Sequence, residues 1–157
     1  MGIWRAQTLV AGEPDEVLQM LTEPDIIARW APIDFELVDR RYQRLEAGDH
    51  VRVRGFLAGR CLEFVVDVAQ ASGGRLSLTA TGPIALDVKY VARRAVRGSQ
   101  VEAVVSVSGR GLIGRMLAQA TDALLAAGAL SAAIGRIARE LEAAATPSSR
   151  LEPAFAA

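Results

Sequence analysis

The chain has 157 residues, with 18 Lys+Arg balanced by 18 Asp+Glu and 51% hydrophobic residues. That length suffices for one domain burying about 70% of its unfolded surface, and the hydrophobic share is that of an ordered globular chain. Zero net charge excludes the strong positive field that nucleic-acid binding needs, and one cysteine, Cys61, excludes an internal disulfide or a multi-cysteine metal site.

Ile3 to Val10 reads as a first strand, broken by Gly12. Glu13-Pro14-Asp15-Glu16 is a helix start, because proline is tolerated in the first turn and acids suit the positive end of the helix dipole. Val17, Leu18, Met20 and Leu21 give this short helix its apolar side. Thr22-Glu23-Pro24-Asp25 repeats the signal for a second short helix carrying Ile26, Ile27 and Trp30, ended by Pro32.

Phe35 to Tyr42 is expected as a second strand. His50–Leu57 and Arg60–Ala69 form a hairpin around Ala58-Gly59. A two-residue loop sets His50 opposite Asp67 and Arg54 opposite Glu63 on one face. Val51, Val53, Leu62, Phe64, Val66 and Val68 then share the other face, so charge pairing and apolar alternation agree on one register. Turns at Ser72-Gly73-Gly74, Gly82-Pro83 and Arg97-Gly98-Ser99 separate three more strands: Arg75–Thr81, Ile84–Ala92 and Val101–Ser108. Strands this closely spaced leave no room for crossover helices, so the sheet is antiparallel.

From Gly111 to Ala144 there is no proline and little that would stop a helix. The pattern predicts one long helix whose apolar stripe runs through Leu112/Ile113, Met116/Leu117, Ala120, Leu124, Ala127, Leu130, Ile134, Ile137 and Leu141. Arg115, Gln119, Asp122, Arg136 and Glu140 form its polar stripe. The most apolar part, Ala123 to Ile134, is about 12 residues, short of the roughly 20 a membrane span requires. The opening residues lack the pattern of a signal peptide, so a soluble cytoplasmic protein is expected. Thr146 onward, with Pro147, Ser148, Ser149 and Pro153, reads as a tail. The expected organisation is one domain over residues 1–144 and a disordered tail over 145–157. The expected class is α+β: a curved seven-stranded antiparallel sheet around a long C-terminal helix, with two short helices after strand one.

Three segments carry a resemblance. Val10-Ala11-Gly12-Glu13-Pro14-Asp15-Glu16-Val17, Leu21-Thr22-Glu23-Pro24 followed by Ala28-Arg29-Trp30-Ala31-Pro32, and Val105 to Arg115 resemble the first-strand, short-helix and last-strand segments of the SRPBCC superfamily. That superfamily has the START-like helix-grip fold and includes polyketide cyclases/dehydrases. The resemblance spans about residues 3–144. It implies a small-molecule cavity between sheet and terminal helix, and an inward face of Trp4, Ala6, Thr8 and Val10 on strand one.

Gly109-Arg110-Gly111-Leu112-Ile113-Gly114 fits the dinucleotide pattern G-x-G-x-x-G, but no strand follows the helix to complete that fold. It reads as a tight strand-to-helix turn. His50, the sole histidine, lies on the charged face with Arg52, Arg54 and Asp67; a solvated pair is set against a catalytic dyad. Cys61 shares that face without a histidine partner, and one His with one Cys is a poor zinc set. No metal or cofactor is expected.

The expected ligand is an apolar, aromatic or polycyclic small molecule. The expected lining is Val53, Leu62, Phe64 and Val66 from the hairpin, Leu78, Leu86, Val88 and Tyr90 from the next two strands, and Met116 from the helix. Trp30 sits near the mouth, stacking on a ligand or pinning the helices. Inward polar groups are few: Thr8, Tyr90 and Arg60. Tyr90 is either a ligand's hydrogen-bond partner or a core tyrosine bonded to backbone. Asp34 and Glu36 are the carboxylates considered for proton transfer. Arg93, Arg94 and Arg97 cluster near a loop that could take an anionic ligand or partner. If the chain is an enzyme, the resemblance implies a polyketide cyclase or dehydrase, with Tyr90 or Thr8 polarising a carbonyl while the cavity excludes water. The rivals are a carrier or sequestering protein without catalysis and an accessory module docking through Arg93–Arg97.

Overall fold

In the computed structural model, which describes residues 2–31, 34–38, 44–57 and 59–145, the expected elements follow in order. They are β1 (Gly2–Val10), α1 (Pro14–Thr22), α2 (Pro24–Trp30), β2 (Phe35–Leu37), β3 (His50–Leu57), β4 (Arg60–Ser72), β5 (Arg75–Thr81), β6 (Ile84–Ala95), β7 (Gly98–Gly109), α3 (Gly111–Ala126) and α4 (Ala129–Ala145). The strands make one antiparallel sheet in the order β1-β7-β6-β5-β4-β3-β2. The residues expected at 39–42 of the second strand, and those at 146–157 expected as a tail, lie outside the described residues.

Local chemistry explains the entries into α1 and α2. Glu13 and Glu16 form a reciprocal capping box around Pro14 at the first turn, and Pro24 opens α2 directly after α1 ends. At the other end of α2, Arg136 of α4 donates from Nε to the Trp30 carbonyl and from Nη2 to the Ala31 carbonyl, both at 3.2 Å. A cation thus satisfies carbonyls that a helix end leaves without partners. A residue expected on the solvent stripe therefore ties the last helix to the second one.

The β3–β4 hairpin has the expected register, with His50 opposite Asp67 and Arg54 opposite Glu63. His50 Nδ1 contacts Asp67 Oδ1 directly. Arg54 turns instead toward Glu36 of β2 (3.5 Å), and Arg52 takes Glu63 on the diagonal (3.9 Å). Beyond Val68 the register shifts at a bulge, and β4 continues to Ser72 instead of stopping at Ala69. An extra residue on one strand bends it and increases its twist, which curls the sheet.

The terminal helical stretch is present but broken. α3 and α4 meet at a 53° bend, with Gly128 at φ 95°. A positive φ costs an L-residue about 1–2 kcal/mol, so glycine is the residue that permits the break. In α4 the stripe positions Leu130, Ile134, Ile137 and Leu141 are buried as expected, and Ala133, outside the stripe, is buried with them. In α3 the buried set departs from the stripe. Gly114, Leu117, Ala118, Thr121 and Leu125 face inward, while Leu112, Ile113 and Met116 are 78%, 64% and 62% exposed. A side chain on Gly109 would come within 2.2 Å of the Gly114 carbonyl oxygen, and one on Gly114 would reach 3.0 Å from that of Pro83. Close approach at the strand-to-helix turn demands the small face of α3, and this fixes its rotation. The G-x-G-x-x-G spacing is thus explained by packing.

Among the described residues no single helix is long and apolar enough to cross a membrane, although α3 and α4 together would pass on length and composition.

Candidate ligand cavity

The inner face of the sheet and the helices border a partly open cavity of about 240 Å³. Its walls follow from strand alternation. Val51, Val53 and Gly55 of β3 face Phe64 and Val66 of β4 across the ladder, and Leu76, Leu78 and Ala80 extend the wall along β5. Ile84, Leu86, Val88 and Tyr90 come from β6, and Val105 from β7. Phe35 and Leu37 of β2 turn inward while Asp34 and Glu36 are exposed. Ile27 and Trp30 of α2, Thr121 and Leu125 of α3 and Leu130 of α4 cover the opposite side.

Among the described residues none of the lining side chains is charged. The polar side-chain groups on the wall are three. Trp30 Nε1 donates to the Met20 carbonyl at 3.0 Å. Thr121 Oγ1 donates to the Leu117 carbonyl one helical turn back, at 2.9 Å. The third, the Tyr90 hydroxyl, makes no hydrogen bond to any described residue. Among the described residues no fully buried side-chain polar atom lacks a partner, so the Tyr90 oxygen keeps a small accessible surface. The cavity is the space that Tyr90 lines.

Tyr90 is itself 3% exposed, and burial raises its pKa well above the ordinary phenol value. It is therefore a protonated donor across the neutral and alkaline range, not a base. Trp30, 4% exposed, meets it edge-on, with ring centroids 5.4 Å apart and planes at 67°. Such a contact contributes about 0.5–1.5 kcal/mol beyond burial and fixes the ring's orientation.

Of the residues expected at the site, Trp30, Val53, Phe64, Val66, Leu78, Leu86, Val88 and Tyr90 come together on this wall. Leu62 packs half-buried against the core beside the cavity instead of lining it. Met116 does not line it: it is an outward residue of α3, because the small residues of that helix face the sheet. Thr8 is half-buried on β1, inward as expected but off the cavity wall. Arg60 and Cys61 are exposed. Asp34 is exposed, and Glu36 is occupied by Arg54 on the outer face, so neither carboxylate reaches the cavity. Arg94 is held by Glu13 through Nε (3.1 Å) and Nη2 (2.6 Å), leaving Arg93 and Arg97 exposed at the same hairpin end. No group of His, Cys, Asp and Glu that could hold a metal ion occurs among the described residues.

Sequence reasoning missed Leu76, Ile84, Phe35, Leu37, Thr121, Leu125 and Leu130 as lining residues. Alternation carried a signal for four of them. Leu76 shares a face with Leu78, Ile84 with Leu86, and Phe35 with Leu37. The α3 residues carried none, since their phase depends on the turn.

No family model and no curated protein sequence matches the chain. The folded shape does have counterparts among solved structures. Protein CV1439 from Chromobacterium violaceum superposes with a TM-score of 0.66 at 13% identity, covering 89% of this chain and 96% of that one. A START superfamily protein from Mycobacterium smegmatis gives 0.63 at 11% identity, covering 88% and 98%. DynU16, from the dynemicin biosynthetic locus, gives 0.59 at 25% identity; the match covers 89% of this chain and 47% of DynU16, about half its length. The chain has the START-like helix-grip fold of the SRPBCC type.

Proposed function

We propose that residues 1–144 form one ligand-binding domain that holds an apolar, aromatic or polyketide-like small molecule between the sheet and the terminal helices. One observation carries this reading: a partly open aliphatic and aromatic cavity that is uncharged among the described residues, and in which the Tyr90 hydroxyl has no hydrogen-bond partner among them. Apolar walls with a few placed polar groups are the usual form of such sites. The similarity to a protein of the dynemicin biosynthetic locus supports a ligand from that kind of biosynthesis.

Binding without turnover is the primary reading. Among the described residues the wall offers a hydrogen-bond donor, but no carboxylate or imidazole to move a proton. Native mass spectrometry of freshly purified protein, with extraction and identification of what is bound, tests it. A co-purifying neutral aromatic that Val88→Trp displaces is the expected result. A ligand retained unchanged in that filled-cavity variant would overturn it.

The second reading is a polyketide cyclase or dehydrase. It is favoured by the same Tyr90 hydroxyl, which stays protonated and could polarise a substrate carbonyl while the walls exclude water. Turnover that survives Tyr90→Phe would remove this role.

A further inference from the structure

The size and chemistry of the walls restrict the ligand further than "apolar". An apolar cavity of about 150 Å³ takes one benzene, six carbon atoms. At the same filling, the 240 Å³ here takes about ten non-hydrogen atoms: two fused rings, or a chain of similar bulk. Three or four fused rings exceed that volume, and on its wall Trp30 and Phe64 are buried, with Trp30 held against Tyr90.

Charge restricts the ligand as strongly. Among the described residues the wall offers no cation to an anion and no carboxylate to a cation. An ionised group buried there would lose its hydration without compensation, which is costly enough to exclude it or force it neutral. Polarity completes the set. The Trp30 and Thr121 donors are already spent on backbone carbonyls, so among the described residues the side-chain donor left for a ligand is Tyr90. Its pKa keeps it a donor, and what it lacks is an acceptor.

We infer that the cavity selects an uncharged molecule of about ten non-hydrogen atoms bearing one oxygen acceptor for Tyr90, and rejects both the ionised form and the four-ring form of such a skeleton. The inference rests on the binding function proposed above.

Four probes and one variant test it by calorimetry and ligand-observed NMR on the full chain. The probes are α-tetralone, tetralin, the carboxylate of tetrahydro-2-naphthoic acid, and the four-ring ketone benzanthrone. Tetralone is expected to saturate one site. Tetralin, without the oxygen, binds about three- to ten-fold more weakly, the worth of one hydrogen bond. Tyr90→Phe brings tetralone to the tetralin level and leaves tetralin unchanged. The carboxylate binds at least about a hundred-fold more weakly at neutral pH and recovers as pH falls through its own titration. Benzanthrone binds at least about ten-fold more weakly than tetralone, on the volume limit.

Should Tyr90→Phe fail to fold, the tetralone–tetralin comparison on the unaltered chain still decides the role of the acceptor. Carboxylate or benzanthrone binding within threefold of tetralone would leave the cavity function standing and overturn the inferred selectivity. Absence of binding by all four would overturn both.

Discussion

α3 and α4 are two halves of one apolar stretch, and they meet the same sheet by different means. α4 buries large branched residues, with Ile134 at 1% and Ile137 at 0% exposure. α3 buries Gly114, Ala118 and Thr121 along with Leu117 and Leu125, and leaves Leu112, Ile113 and Met116 outside. Burying apolar area would favour the opposite rotation of α3, by about 25 cal/mol for each Å². The approach at Gly109 forbids it, because only a small face fits against that turn. A backbone contact has overruled the hydrophobic stripe.

The contrast can be broken by substitution. Ile137→Ala should destabilise most, by about 2–5 kcal/mol, through lost burial and the cavity left behind; chemical denaturation measures it. Gly109→Ala should follow at about 1–3 kcal/mol, since its Cβ would fall on the Gly114 carbonyl and push α3 off the sheet. Amide exchange should then quicken in α3 before α4. Arg136→Ala removes two charge-assisted hydrogen bonds to the end of α2 and is expected to cost about 1–2 kcal/mol. Gly128→Ala meets open space but a positive φ, and should cost about 1 kcal/mol in a thermal melt. Met116→Ala should lie within about 0.5 kcal/mol of the unaltered chain, as an exposed position does. A Met116 effect as large as that of Ile137 would abolish the distinction between the two helices.

Much of the sheet was legible because its signals are local. In the β3–β4 hairpin, turn length, charge pairing and alternation each specify the register, and they agree. The α1 start carries its own capping box, and a proline opens each of the two short helices. The same alternation placed Val53, Phe64, Val66, Leu78, Leu86, Val88 and Tyr90 on the inner face. What stayed hidden depends on distant atoms. The rotation of α3 is set by Gly109 against Gly114, and an apolar stripe traced back from Leu130 through the bend at Gly128 arrives out of phase, which misplaced Met116. The role of Arg136 was invisible because its partners are backbone carbonyls more than a hundred residues away.

Arg136 also joins the cavity to the end of the fold. It holds the carbonyl of Trp30, whose ring sets the orientation of Tyr90, so the aromatic wall and α4 share one anchor. Occupancy and helix docking are then thermodynamically linked. A ligand at a hundred times its Kd adds about 2.7 kcal/mol to the folded state, and part of that increment should register as slower amide exchange in α4, which among the described residues offers the cavity Leu130 alone. By reciprocity, the ligand binds the form with α4 undocked more weakly by the same factor with which it holds α4 in place. The far end of the chain would then set the affinity of a pocket it barely touches.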